Sequence, residues 1–275
     1  MAEFITPGTV RDRSTVTPIQ LSTGVKCYEI VPAGTYAEAL FAQQYELQNS
    51  SFELVADTND RYLYILDGEG EFSFADHNNP LKEISVKEVS YPLKEVSVKE
   101  GSAAMMLAGE SAKLSTTSAL SVVVIYVPGP ATPWAKRLAK DVDIANRVVL
   151  TRLGAADKQA ASSDREFEVL FDKNQASRGA TMFVGFIPTS GAPEHYHLYD
   201  EICMIVNGNG GLQTGDHPLQ ELKKGSAFHV APRYLHAIHN PHPADVWILG
   251  VFRPEGSPSA AYYPDGRSAP NNLED

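Results

Sequence analysis

The feature that most constrains the fold of this chain is a glycine-rich hairpin pattern that occurs twice. The two copies are residues 64–74 (YILDGEGEFSF) and residues 204–214 (MIVNGNGGLQT). Each copy is followed by a charged segment that ends in a glycine, Gly101 or Gly225, and then by an apolar run that stops near a proline. Short apolar or alternating runs between turn residues are typical of an all-β sandwich or barrel. Their repetition indicates two similar β units in tandem.

The segment between the two units differs in composition, since it is richer in Ala, Lys and Asp and poorer in strand signals. We therefore predict a first domain at 1–130, a linker at 131–165 with a short helix near 134–140, and a second domain at 166–275. A smaller repeat lies inside the first half, because 79–90 is nearly copied by 91–102 with a period of twelve. Its apolar residues alternate with Ser, Lys and Glu, which favours a lengthened hairpin with a solvated face.

Charge and composition exclude several classes of partner. The 275-residue chain has a net charge of −11 and a pI near 5.2, which argues against nucleic acid and anionic membrane surfaces as partners. Two cysteines are too few for a disulfide framework, so a reducing compartment is expected. The N-terminal residues carry no apolar core of signal-peptide length, and no run of apolar residues is long enough to span a membrane. We therefore expect a cytoplasmic protein.

Candidate metal ligands cluster near the start of the second half. His195 and His197 are separated by one residue, Glu201 follows, and His236 lies further along the chain. In a β-strand, residues two apart share a face, so the first two histidines point the same way. Three imidazoles and one carboxylate directed at one point would bind a divalent transition metal and leave coordination positions free. The pattern therefore predicts a metal centre.

These residues carry a resemblance to the cupin superfamily. Its first motif is HxH, three or four residues, Glu, six residues and Gly, and this chain has His195, His197, Glu201 and Gly208 at that spacing. The resemblance extends over about 167–253. It implies a jelly-roll barrel that holds a metal through the two histidines, the glutamate and a further histidine.

The second motif of the family is matched with two departures. Gly225, His236 and Asn240 are in register, whereas Ala231 replaces the proline of the motif and Arg233 replaces its second glycine. The resemblance implies that His236 is the last metal ligand.

The first half matches the same scaffold without the ligands. When Gly68 is aligned with Gly208, the positions of the four ligands are occupied by Val55, Asp57, Arg61 and Ala112. An arginine stays protonated and does not ligate a metal. We therefore predict a protein of two tandem cupin barrels, a bicupin, in which only the C-terminal barrel holds a metal.

The predicted centre is compatible with several metals and reactions. Fe(II) and Mn(II) are our first choices, and Ni(II), Co(II) and Zn(II) remain open. An Fe(II)-type dioxygenase acting on a small organic substrate is our first hypothesis, since the resemblance includes cupin dioxygenases. The alternatives are a non-redox isomerase, lyase or hydrolase, and a binding protein without catalysis.

Three further residues are candidates for the substrate site. Arg233 is predicted near the barrel mouth, where its guanidinium would clamp a carboxylate or phosphate, with a surface ion pair as the alternative. His229 would line the pocket or shuttle protons, although a structural role is more common. Cys203 would face the barrel interior, where a small buried hydrophobic residue is the ordinary interpretation. Open edge strands are compatible with a homodimer.

Overall fold

In the described part of the protein the regular secondary structure is almost all β-strand, which confirms the predicted all-β class. The computed structural model describes residues 6–34, 39–75, 85–86, 89–90, 95–129, 147–161, 164–215 and 217–270. The helix predicted near 134–140 lies outside the described residues, as does most of the duplication at 79–102. A single 3-10 turn, Lys173–Gln175, interrupts the strands of the described part.

Nine strands precede the linker within the described part of the chain. They are β1 (Ile19–Ser22), β2 (Val25–Val31), β3 (Phe41–Leu54), β4 (Asp60–Ala75), β5 (Ser85–Val86), β6 (Val89–Ser90), β7 (Val96–Lys99), β8 (Ser102–Met106) and β9 (Ser111–Val127). Apart from the short β5–β6 pair, they form one sheet together with β10 (Leu150–Arg152). The strand order is β1-β2-β3-β9-β4-β8-β10, with β7 paired to β4. The seventeen-residue β9 pairs with β3 on one side and with β4 on the other.

The remaining strands form the second barrel, except that β10 joins the first sheet. They are β10 (Leu150–Arg152), β11 (Gln159–Ala160), β12 (Glu166–Phe171), β13 (Thr181–Ile187), β14 (Ala192–His195), β15 (Asp200–Asn207), β16 (Asn209–Thr214), β17 (Gln220–Lys223), β18 (Ala227–Val230), β19 (His236–His239) and β20 (Val246–Arg253). Two sheets result, with orders β11-β12-β13-β20-β15-β18 and β14-β19-β16-β17. All their pairings are antiparallel, as in a jelly-roll barrel.

The repeat proposed from the sequence is visible in the backbone. Gly68 and Gly208 have φ angles of 82° and 81°, and both stand where a Cβ atom would meet a carbonyl oxygen of the neighbouring strand. Gly101 and Gly225 also match, with φ angles of 86° and 91°. A positive φ is accessible to glycine at little cost, so the same turn geometry selects the same residue in both halves.

Replacing Gly208 by Ala is expected to destabilise the second barrel by about 1–3 kcal/mol, because the residue needs a positive φ and its Cβ would lie 2.8 Å from the carbonyl oxygen of Asp245. Gly266 is the matched control, since its φ is 84° but a Cβ added there would have no described atom within 4 Å. The urea concentration at the unfolding midpoint should fall further in Gly208→Ala than in Gly266→Ala. Equal losses in the two variants would contradict the role of the close carbonyl.

The two halves share a hydrophobic core. Strand β15 shows how, because its successive side chains point to opposite faces. Ile202 and Met204 pack with residues of the first half such as Tyr62 and Val123. Cys203, on the opposite face, packs inside the second barrel. Strands of the second barrel are therefore buried on both faces.

Each half also pairs with a segment that the sequence analysis did not assign to it. Strand β10, which lies within the predicted linker, pairs with β8 of the first sheet. Near the N-terminus, Arg11 forms an antiparallel bridge with Ala227, and the amide of Gly8 donates to the carbonyl of His229 at 2.8 Å. The predicted domain boundaries remain predictions, and at these two places backbone hydrogen bonds join segments that the sequence analysis assigned to different units.

None of the described helices is long and apolar enough to cross a membrane.

Candidate metal centre

Three buried histidines converge inside the second barrel. His195 ends β14, His197 follows it, and His236 begins β19, where it is paired across the sheet with His195. One ring nitrogen of each histidine lies within 4.8 Å of the corresponding nitrogens of the other two. The sequence predicted that these three residues would meet, and the structure brings them together.

The orientation of each ring is set by a backbone carbonyl. The Nδ1 atom of His195 lies 2.7 Å from the oxygen of Pro193, that of His197 lies 2.8 Å from the oxygen of Ala260, and that of His236 lies 3.0 Å from the oxygen of Tyr234. A carbonyl only accepts, so each Nδ1 carries the proton and donates it. The lone pairs therefore reside on the three Nε2 atoms. Such a second hydrogen bond is the usual way in which proteins orient histidine ligands for a metal.

Glu201 lies beside this cluster on the inner face of β15. One of its carboxyl oxygens is 3.9 Å from Nε2 of His197, and the residue is 3% exposed. The structure thus places Glu201 next to the histidines, although its oxygens are not part of the tight three-nitrogen group. Its role as the fourth ligand remains a prediction.

Burial controls the protonation of the cluster. It lowers the pKa of His197 to about 3 and that of His236 to about 4, and it lowers the pKa of His195 well below the usual value. Burial also raises the pKa of Glu201 to about 8. The imidazoles are therefore neutral at pH 7 and present lone pairs to one another. A divalent cation fits this group, because it would accept those lone pairs and favour the ionised form of the carboxyl group.

The histidines line a small and mostly apolar cavity of about 80 Å³. Its walls include the aromatic rings of Phe167, Phe183 and Phe228 and the aliphatic side chains of Ile187 and Ile248. A volume of this size holds roughly five to eight water-sized groups. The cavity therefore admits a compact small molecule next to the histidines.

Cys203 is the one of the three further candidates that lines this cavity. Burial raises the pKa of its thiol well above the usual value, and the thiol is hydrogen-bonded to the side chain of Glu201. The thiol is therefore neutral and packs among the apolar residues of the barrel interior.

His229 lies on the other face of its strand. Its Nε2 atom donates to the carboxylate of Asp200 at 2.5 Å, and the second oxygen of that carboxylate accepts from the amide of Leu40 at 2.8 Å. His229 is thus part of a buried polar link between the two halves and lies outside the residues that line the cavity. Strand alternation explains this position, because Phe228 and Val230 on either side of it face the barrel interior.

Arg233 is exposed and also lies outside the cavity lining. Its φ angle is +65°, and its amide donates to the carbonyl of His197 at 2.7 Å. The equivalent Gly109 of the first half has a φ angle of 88°. The cupin motif has a glycine at this position, where the backbone is left-handed. Here Arg233 adopts the same left-handed conformation, and its side chain projects outward.

Two cavity residues received no functional role from the sequence. Arg165 lies between β11 and β12, and Tyr199 lies just before β15; both line the cavity with the histidines. Tyr199 flanks the histidine motif and could be noticed there. No local pattern singles out Arg165, because its place over the cavity depends on how the β11–β12 hairpin packs.

In the first barrel, an arginine side chain occupies the position that Glu201 has in the second barrel. Arg61 occupies the place of Glu201, is 1% exposed, and pairs across the sheet with Met106 and Tyr126, which belong to the interior of the first barrel. Its guanidinium donates to the carbonyl of Val55 at 2.7 Å and also to the carbonyl of Glu110. A permanently charged side chain thus fills this part of the first barrel.

Comparison with known proteins agrees with this fold. Residues 182–252 match the family model described as Cupin domain. The chain therefore contains a cupin domain at these residues. No curated protein shows significant sequence similarity to it.

Several solved structures share this fold. A mutant of Bacillus subtilis oxalate decarboxylase superposes with a TM-score of 0.66 at 12% identity, covering 95% of this chain and 80% of that one. AerE from Microcystis aeruginosa gives a TM-score of 0.62 at 14% identity, covering 90% and 100%. A cupin 2 conserved barrel domain protein from Leptotrichia buccalis gives 0.56 at 13% identity, covering 90% and 98%. At these identities the likeness concerns the fold.

Proposed function

We propose that this protein is a metal-dependent enzyme that acts on a small organic substrate inside the second barrel. The observation that carries the proposal is the convergence of three Nε2 lone pairs, each fixed by an Nδ1–H to carbonyl hydrogen bond. His195, His197 and His236 would hold one divalent transition metal, with Glu201 as the fourth ligand. Fe(II) and Mn(II) are our first choices, and one related structure is described as having Mn(II) centres, that of oxalate decarboxylase.

The reaction that we propose first is an Fe(II)-type dioxygenation. A metal with four protein ligands would supply about two open coordination positions, at which O2 or substrate oxygens bind. The chain itself supplies a small cavity with aromatic and aliphatic walls, which would reduce the contact of the reacting groups with water. A non-redox reaction at the same centre and binding without turnover are the alternatives that the following experiment separates.

The test is metal analysis of protein purified without added metal, followed by oxygen-electrode measurements with a panel of small organic acids. Bound iron and O2 uptake that depends on both substrate and metal are expected. Bound manganese or zinc with substrate turnover but no O2 uptake would contradict the dioxygenase and identify a non-redox enzyme. Bound metal with no turnover of any member of the panel would favour a binding protein.

We also propose a cytoplasmic enzyme that forms a homodimer. Cys27 and Cys203 are both free and buried, which fits a reducing compartment. Strand β1 is exposed along its length at the edge of the first sheet, with Ile19 and Leu21 exposed to 47% and 44%. An open apolar edge of this kind supports strand pairing between two copies. Light scattering after size-exclusion chromatography measures the mass directly, and a monomer at micromolar concentration would contradict the dimer.

A further inference from the structure

The cavity next to the histidines contains two polar groups that the proposed metal centre does not use. They are the guanidinium of Arg165, just before β12, and the hydroxyl of Tyr199, just before β15. Each has a feature that points to a ligand, and the two features are independent.

Arg165 is held at the cavity by the hairpin that joins β11 to β12. Phe167 pairs with Gln159 across this hairpin, and the amide of Ala161 donates to the carbonyl of Arg165 at 2.8 Å. The side chain is half-buried, and a guanidinium keeps its charge even when burial lowers its pKa, as it does here. A permanent positive charge therefore borders the mostly apolar cavity.

Tyr199 is fixed inside the cavity by its ring. The ring stacks on His197 with centroids 4.5 Å apart and on Phe252 with centroids 4.0 Å apart. Its hydroxyl is buried and has no hydrogen-bond partner among the described residues. A buried polar group without a partner costs free energy, and such groups are rare unless a ligand or water satisfies them. The hydroxyl donates or accepts, so it would satisfy an oxygen of a bound molecule.

The charge around the cavity favours an anion. With a divalent metal in place, the metal and Arg165 would together outweigh the carboxylate of Glu201 in the cavity and that of Asp164 near Arg165, and the apolar walls strengthen Coulomb interactions. A guanidinium binds a carboxylate with two parallel hydrogen bonds. The volume of about 80 Å³ suits a compact ligand of roughly five to eight non-hydrogen atoms, a range that includes malonate.

We propose that the cavity binds a small organic acid whose carboxylate is held by Arg165 and Tyr199 while the rest of the molecule faces the histidine cluster. This assignment rests on the proposed function and names its substrate class. It differs from the sequence-based expectation for Arg233, because that side chain is exposed outside the cavity.

The test is calorimetric titration of Co(II)-loaded protein with malonate and with its neutral analogue malonamide. Malonate is expected to bind, and malonamide to bind at least about ten-fold more weakly. Arg165→Gln should weaken malonate binding about 10- to 100-fold, with partial recovery in Arg165→Lys, which keeps the charge but not the planar fork. Tyr199→Phe should weaken it about 3- to 10-fold, because it removes one neutral hydrogen bond.

Arg152→Gln is the matched control, because it makes the same charge change at an exposed residue of β10 and should leave malonate affinity unchanged. The Co(II) content should be the same in all variants, since none of these residues is a predicted ligand. Unchanged malonate affinity in Arg165→Gln, or a loss confined to Arg233→Gln, would overturn the assignment.

Failure of the metal proposal is distinguishable from failure of this assignment. If the wild type keeps no Co(II) after desalting, the proposed metal centre is wrong. The titration of metal-free protein then decides the assignment separately. Arg165→Gln should still weaken the residual malonate binding, and equal affinities in the two proteins would overturn the carboxylate site.

Discussion

His236→Ala is expected to lower the metal affinity of the protein by at least about 100-fold and to abolish activity. The reason is that loss of a residue that merely orients a ligand already costs about 10- to 100-fold, and in the proposed centre His236 would supply a ligand nitrogen itself. His236 is 4% exposed, and its nitrogen lies within 4.8 Å of those of His195 and His197. Metal content measured by mass spectrometry after dialysis against a mild chelator gives the result.

His239→Ala is the matched control for this prediction. His239 ends the same strand, β19, but is exposed and lies outside the three-histidine group. Its removal should leave metal content and activity at the wild-type level. Full metal content in His236→Ala, or equal losses in the two variants, would show that the cluster is not the metal centre.

Arg147→Met is expected to lower the free energy of unfolding by about 3–5 kcal/mol, because it leaves a largely buried carboxylate without its partner. Arg147 is 1% exposed and binds both carboxyl oxygens of Glu110, one of them at 2.6 Å. It also donates to the carbonyl of Met105 at 3.2 Å and lies over the ring of Phe74 at 5.4 Å. Urea unfolding followed by tryptophan fluorescence and by circular dichroism measures the change.

Arg267→Met is the control for the buried pair. Arg267 also contacts a carboxylate, that of Asp265 at 2.6 Å, but both side chains are exposed. Exposed pairs of this kind contribute little, so the unfolding midpoint should stay at the wild-type value. A loss below about 1 kcal/mol in Arg147→Met would show that the Arg147–Glu110 pair does not hold this part of the predicted linker against the first barrel.

The three-histidine cluster was predictable because its geometry is local to two short segments. The HxH spacing puts His195 and His197 on one face of an extended segment whatever surrounds it. The glycines at 208 and 225 mark turns that need a positive φ, so they place the strands between them in register. The same glycines in the first half, at 68 and 101, revealed the duplication.

The remaining residues of the site were not predictable, because both faces of the central strands are buried. Because side chains alternate along β18, His229 and Phe228 must lie on opposite faces of the strand. The alternation does not say which residue faces the cavity and which faces the first half of the protein. Only the packing of the two barrels decides that. The position of Arg165 depends in the same way on the packing of a hairpin against the barrel mouth. No sequence spacing encodes either arrangement.

The amino-acid order by itself determined the all-β class, the repeat and the identity of the three histidines that meet, because turn glycines and strand alternation act over a few residues. The tertiary structure alone decided that Arg165 and Tyr199 border the cavity, that Arg233 projects outward, and that His229 joins the two halves. Those outcomes depend on contacts between segments far apart in the chain. Such contacts follow from the shapes of whole barrels and not from local backbone preferences.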